Sequence, residues 1–395
     1  EFNINTHKIK TSLPLIYNSG HSDHTILQKI ENDPDLVNNK SRNKEANSYM
    51  LVTANEICNN REKFTREVHE AMQHGYDITW LANDTTEITP DLGISYNHFE
   101  YQAGAYHHHG LVKESPKWSR LSTGLFLPGK SNKMQRLAPI KYLHESGALK
   151  DMVYSLKLLR SGIPQDLFDE LNTTEEFFLP LEKDLDFSLD LMTQGGNQHY
   201  TGYPYDSELY SKTGWSLISE SSSGFKIPSP YSAGCHNLFQ DKPWLTEKTY
   251  RTIYNSHPFI LLGEYGCHDF LNQMGYQTFE KFYGTEIDNF WPNINDHNVH
   301  TECQELVRVV KRFKINLQVH QEEIAEIVEH NKQNLINRYN DTKTMFESMN
   351  HNVIFENTNR TMPLCDYAWF SSYRNNVESI NLLPDYYEYF NDKWT

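Results

Sequence analysis

The sequence is short of cysteine, of basic charge and of long apolar runs, and each shortage closes off a class of protein. Its five cysteines (Cys58, Cys235, Cys267, Cys303 and Cys365) are scattered, and none forms a zinc-like pair. That usage argues against a disulfide framework and fits reduced thiols in a cytosol. Lys and Arg number 36 against 52 Asp and Glu, a formal net charge of −16. Broad electrostatic attraction to nucleic acid or to an anionic membrane is therefore disfavoured. No stretch approaches the roughly 20 apolar residues of a membrane-spanning helix, and the N-terminal residues carry no signal-peptide pattern. The expectation is a cytoplasmic protein with no membrane partner. Gly-x-Ser-x-Gly, Walker and Gly-x-Gly-x-x-Gly motifs are absent, which lowers hydrolase, nucleotidase and dehydrogenase readings. Internal repeats and low-complexity tracts are also missing.

What is present is 395 residues rich in aromatics, enough for two or three domains with real cores. Leu13–Tyr17, Tyr49–Thr53 and Asp77–Leu81 read as strands and 61–74 as an amphipathic helix, so residues 1–115 form an α/β unit. A second α/β unit spans 116–300. It opens with a strand at Leu121–Leu127, a basic loop at 128–136, a helix over 137–145 and a strand at Met152–Leu156. Residues 160–210 are acidic and read as helical insertions and loops. Residues 302–348 carry apolar positions at helical spacing, for example Leu306, Val309, Val310, Phe313 and Leu317. Residues 301–395 are thus expected as a helical extension packing on the body.

The most informative stretch is Trp215 to Gly263. Trp215–Ser219 reads as a strand ending at Glu220, and Trp244-Leu-Thr-Glu-Lys-Thr-Tyr-Arg251 opens a helix. That helix stops near Asn255-Ser-His-Pro258, and Phe259–Leu262 is a continuous apolar run closed by Gly263. Strand, helix and strand in this rhythm make a βαβ unit in a buried parallel sheet. Its strand C-termini and helix N-terminus share one edge, where open α/β sheets bind ligands. A helix N-terminus there favours anions, and Lys248 adds a full charge. A helix at 267–274 and a strand at Tyr276–Phe279 are expected to follow.

Three blocks here, Ser219-Glu-Ser221, Leu245-Thr-Glu-Lys-Thr-Tyr-Arg251 and Pro258-Phe-Ile-Leu-Leu-Gly263, resemble the donor-binding core of the α-1,3-fucosyltransferase-like glycosyltransferases. Glycosyltransferase-like proteins of phages and large viruses share the Thr-Glu-Lys-Thr and Pro-Phe-Ile-Leu wording. Ser221 stands where the fucosyltransferase pattern has Asn. The resemblance covers about 205–285, more loosely 120–160, and implies a GT-B-like α/β fold of two Rossmann-like domains facing a cleft. It implies a nucleotide-sugar donor on the second domain and a glycan or other small hydroxylated acceptor on the first. It also assigns Glu247 to the ribose hydroxyls.

Transfer from a nucleoside diphosphate sugar requires the leaving diphosphate to be neutralised. Without a metal, that falls to Lys, Arg and helix N-termini. Lys248 and Arg251 on the Thr-Glu-Lys helix, with Lys130, Lys133 and Arg136 on the basic loop, are the candidates. Glu220 and Ser221, at the end of the strand, stand where the donor sugar would be held, and capping of the loop is the competing role for Glu220. Thr246 reads as the helix N-cap, but position 249 is Thr rather than the acid or Gln of a capping box. Glu247 is therefore free of that duty, and either meets ribose or complements the helix dipole. Tyr250 reads either as pocket wall or as core.

An inverting reaction also needs a base for the acceptor hydroxyl. Glu56, Asp84 and Glu100 follow strands of the first unit, and Glu100 is favoured because its aromatic setting would raise its pKa. No cofactor and no metal are expected. Asp33-Pro-Asp35 and Asp184-Leu-Asp186 match an Asp-x-Asp motif in unsuitable settings, and adjacent side chains of His107-His-His109 point apart. Two rivals stand beside the glycosyltransferase reading. One is transfer to hydroxymethylated bases of viral DNA, the less favoured nucleic-acid partner in so acidic a chain. The other is a non-catalytic protein that keeps the fold.

Overall fold

The computed structural model describes residues 11–18, 25–32, 48–53, 61–83, 93–108, 121–128, 134–156, 158, 165–183, 207–220, 245–263, 266–284, 299–349, 351–354 and 361–363. Their elements form an α/β protein with two sheets. The first sheet contains β1 (Thr11–Asn18), β2 (Ser48–Thr53), β3 (Asp77–Asn83) and β4 (Gly93–Tyr96), with α1 (Ile26–Asn32) and α2 (Arg61–Gln73) between them. Helix α3 (His98–His108) follows β4. The second sheet contains β5 (Gly124–Phe126), β6 (Met152–Tyr154), β7 (Trp215–Ser219) and β8 (Phe259–Leu262). Its described helices are α4 (Met134–Glu145), α5 (Gln165–Glu170), α6 (Glu175–Phe178), α7 (Ser207–Ser211), α8 (Glu247–Tyr254) and α9 (Cys267–Gln273). Two long helices, α10 (Val299–Val319) and α11 (Gln321–Met349), lead to β9 (His351–Ile354) and β10 (Thr361–Pro363).

The expected βαβ unit is present, with β7 and β8 parallel in the register Ser216 to Phe259 through Ser219 to Leu262. Every residue of both strands is buried, which explains the continuous apolar run of β8: a strand covered on both faces has no polar side to present. The second sheet runs β6-β5-β7-β8, all parallel. After β5 the chain goes to one side, and after β7 it goes to the other. The connections diverge between β5 and β7, the switch point at whose C-terminal edge open α/β sheets bind ligands. The first sheet, β10-β9-β1-β2-β3-β4, changes direction in the same way between β1 and β9, with β10 antiparallel on the edge.

Two glycines permit close approaches. A Cβ on Gly124 would lie 2.5 Å from the indole of Trp215, its partner across the strands, so β5 must be bare there for the buried ring to lie over it. A Cβ on Gly104 would come within 2.3 Å of the Tyr339 Cβ, where α3 meets α11. The aromatic contacts Tyr101–Tyr339 (4.9 Å between centroids) and Tyr96–Phe346 (5.2 Å) continue that seam. They join a buried cluster that runs on through β7, β8, α10 and α11.

Three sequence expectations are corrected. Tyr276–Phe279 is not a strand. The Asn331 amide takes the neighbour's place, accepting from the Gln277 N–H at 2.7 Å and donating to the Gln277 carbonyl at 2.8 Å. The expected strand at Leu121–Leu127 shortens to Gly124–Phe126, and its helix begins earlier, at Met134. The C-terminal extension is not wholly helical, since β9 and β10 return to the first sheet, with β9 parallel to β1.

Candidate functional site

The C-terminal end of β7 pins two helix N-termini with two successive residues. Pro139 sits inside α4 and has no N–H to donate to the Gln135 carbonyl, its partner four residues back. The Ser219 hydroxyl satisfies that carbonyl instead, at 2.9 Å. The next residue, Glu220, is fully buried, and its backbone N–H still pairs with Leu262 of β8. Its carboxylate Oε1 accepts from the Thr246 N–H at 3.0 Å and from the Thr249 hydroxyl at 2.6 Å, while Oε2 accepts from the Thr246 hydroxyl at 2.5 Å. Accepting from the N-cap N–H is the task of the acid three residues on in a capping box. Position 249 lacks that acid, and Glu220 performs it from the neighbouring strand.

Thr246 is the N-cap of α8, in extended backbone conformation. Its hydroxyl gives its one hydrogen to Glu220 and accepts from Lys248, from the backbone N–H at 3.5 Å and from Nζ at 3.0 Å. Lys248 Nζ also lies 2.7 Å from Glu247 Oε1 and 3.9 Å from Glu220 Oε2. Burial alone would raise the Glu247 carboxyl, but Lys248 beside it, aided by Arg251, brings it down to about 2. Glu247 is thus an ionised carboxylate, about a quarter exposed, at the first residue of the helix.

A shallow, solvent-open recess lies against β5, β7 and α8. Leu125, Leu127 and Tyr210 line one part, Ser216 to Ser219 of β7 another, and Lys248, Arg251 and Thr252 of α8 the third. Beneath it lies His257, fully enclosed. Its Nε2 is 2.9 Å from the Tyr210 carbonyl, which can only accept, so Nε2 carries the proton and Nδ1 accepts from the Ser216 hydroxyl at 3.0 Å. Burial lowers its pKa to about 4. The neutral imidazole therefore ties α7 to β7, the two sides of the recess wall.

The opposite side of α8 faces α3 and α11. Tyr250 is there, buried, accepting from the Asn97 amide at 2.6 Å. It belongs to the core, and burial together with the nearby Glu100 charge raises its pKa well above 10. Glu100 does not face a cleft. It is 5 % exposed in the first turn of α3, where Oε1 accepts from the Tyr276 hydroxyl at 2.6 Å and from Arg338 Nε at 2.5 Å. Oε2 accepts from a second Arg338 nitrogen at 3.1 Å. Glu100 is thus held in a bidentate ion pair with Arg338 that ties α3 to α11.

The structure thus brings Glu220, Thr246, Glu247 and Lys248 into one network and puts Lys248 and Arg251 on one recess. Glu220 has no solvent exposure. Arg136 is buried in the first turn of α4. Lys130, Lys133, Ser221, Asp84, Glu56 and both Asp-x-Asp pairs lie outside the described residues. His107 packs edge-on against Tyr254, and His108 Nε2 lies 3.3 Å from Lys343 Nζ. No group of three or more His, Cys, Asp or Glu side chains suited to a metal occurs among the described residues, and no described helix is long and apolar enough to cross a membrane. The sequence reading missed Tyr210, Ser216, Thr252 and His257. The absent capping-box acid at 249 was the one available sign that Glu220 was committed elsewhere. No protein-family model, no curated protein and no solved structure matches this chain.

Proposed function

We propose that the chain is a glycosyltransferase that moves a sugar from a nucleoside diphosphate sugar to a hydroxyl of a glycan or small molecule, with inversion and without a metal. In this reading the two sheets are the halves of a GT-B-like architecture, the second holding the donor and the first the acceptor. The observation that carries it is the recess against β5 and β7, onto which Lys248 and Arg251 turn from the first two turns of α8. A departing diphosphate concentrates negative charge on its oxygens. Two cations beside a helix N-terminus stabilise that charge most where it develops, in the transition state. Leu127, the partly exposed apolar side chain of the recess, suits the less polar part of a nucleoside, and the ionised Glu247 suits its ribose hydroxyls. With Glu100 engaged by Arg338, the acceptor proton falls to Asp84 or Glu56, which follow β3 and β2 in sequence.

Thermal-shift and calorimetric titration with the common nucleoside diphosphates, in EDTA, tests this directly. At a hundred times its Kd a ligand stabilises the fold by about 2.7 kcal/mol, and at least one nucleotide should do so. Failure of all of them at millimolar concentration would refute the reading. Binding or turnover that vanishes in EDTA and returns with manganese would refute its metal-free form.

A further inference from the structure

We infer that Glu220 is a positioning residue for the diphosphate site: it sets the first turn of α8 and aims Lys248, and it touches no part of the donor. The inference rests on the recess being that site. A carboxylate has about four lone-pair directions. Three of those on Glu220 are taken by the Thr246 N–H, the Thr246 hydroxyl and the Thr249 hydroxyl. The Lys248 ammonium sits 3.9 Å from Oε2. With no solvent exposure, three acceptor directions taken and the Lys248 ammonium beside Oε2, Glu220 offers a sugar hydroxyl no approach.

Its influence passes through Thr246. A hydroxyl has one hydrogen, and that hydrogen is committed to Glu220, so the oxygen presents its lone pairs to Lys248. Glu220 fixes the rotor, the rotor fixes the ammonium, and Lys248 lines the recess. The same carboxylate binds Thr249 in the third position of the helix, so N-cap and first turn are tied to β7 together.

Two arms test this on the whole chain. Without ligand, amide hydrogen exchange compares the wild type with Glu220→Gln and Thr249→Val, the second keeping the carboxylate if the first folds poorly. Loss of hydrogen bonds to a charged group should speed exchange of the amides of residues 246–249 by roughly ten- to a hundredfold in Glu220→Gln, and less in Thr249→Val. Wild-type exchange in both variants would overturn the inference. With ligand, calorimetry compares a nucleoside diphosphate and its sugar conjugate. Glu220→Gln should weaken both by the same factor, about tenfold. A loss confined to the sugar conjugate would overturn the inference and return Glu220 to the sugar. If the wild type binds neither nucleotide, the glycosyltransferase reading fails, and the exchange arm still decides whether Glu220 holds the helix.

Discussion

Lys248→Ala is the perturbation that separates a diphosphate site from an ordinary solvated helix end. In the free protein the ammonium is 14 % exposed and already bonded to Glu247 at 2.7 Å and to the Thr246 hydroxyl at 3.0 Å. An incoming phosphate must share that ammonium, so the net gain is that of one charge-assisted hydrogen bond, not of a bare ion pair in a dry medium. Such a bond is worth about 1.5–3 kcal/mol, or roughly ten- to a hundredfold in affinity for a nucleoside diphosphate. A nucleoside without phosphates should lose almost nothing. Glu247→Gln supplies the control in the opposite sense. It relieves Lys248 of a competing anion while replacing the charged ribose acceptor with a weaker, neutral one, so it should leave inorganic pyrophosphate unweakened and the nucleotide weakened. Calorimetry with nucleoside, nucleoside diphosphate and pyrophosphate reads all three terms. A denaturant titration first confirms that Lys248→Ala is folded, since it leaves the buried Glu220 without its nearest described cation. Diphosphate affinity within twofold of wild type, in a folded variant, would refute the reasoning, because surface replacements usually change free energies by no more than about 0.5 kcal/mol.

His257 is held neutral by burial with a pKa near 4 in the fold, against about 6.5 when unfolded. The unfolded chain therefore binds the proton first as pH falls, and stability is lost between about 6.5 and 4. The loss is about 3 kcal/mol; a wild-type pH–stability curve no steeper than that of His257→Gln would refute it. Gly104→Ala should destabilise by about 2 kcal/mol in denaturant titration, because the new Cβ meets the Tyr339 Cβ, which cannot swing away; the stabilisation of up to about 1 kcal/mol expected from helix propensity alone would contradict the packing. Glu100→Gln should lower stability by roughly 2 kcal/mol, discounted from a fully buried pair because Arg338 is 37 % exposed. Turnover lost without any loss of stability would restore Glu100 as the acceptor base.

Where burial is continuous, local pattern was enough to read the fold. Trp215–Ser219 and Phe259–Leu262 are apolar or small throughout and are covered on both faces, so run length, flanking polar residues and the intervening helix start pointed to one answer. Tyr276–Phe279 has the same look of a short aromatic strand. It is not one, because its backbone partner is a single Asn side chain 54 residues further on, which no local window contains. The return of His351–Ile354 to β1 was hidden for the same reason: pairing across more than 300 residues leaves no periodic trace.

The candidate site divides along that line too. Its edge, its helix and its cations are local facts, and Lys248 and Arg251 do share one recess. The roles of its two acids are not local. The Thr at 249 had suggested that the helix managed without a capping-box acid and that Glu247 was spare, with Glu220 available to a sugar. The acid was not dispensed with but supplied from the adjacent strand, 26 residues earlier in the chain, by Glu220. That substitution separates the surroundings of the two carboxylates. Glu220 has no solvent exposure, whereas Glu247 is ionised, a quarter exposed and beside Lys248, which lines the recess. In the proposed reading, the ribose contact falls to Glu247, and the sugar takes its hydrogen-bond partners from residues other than Glu220.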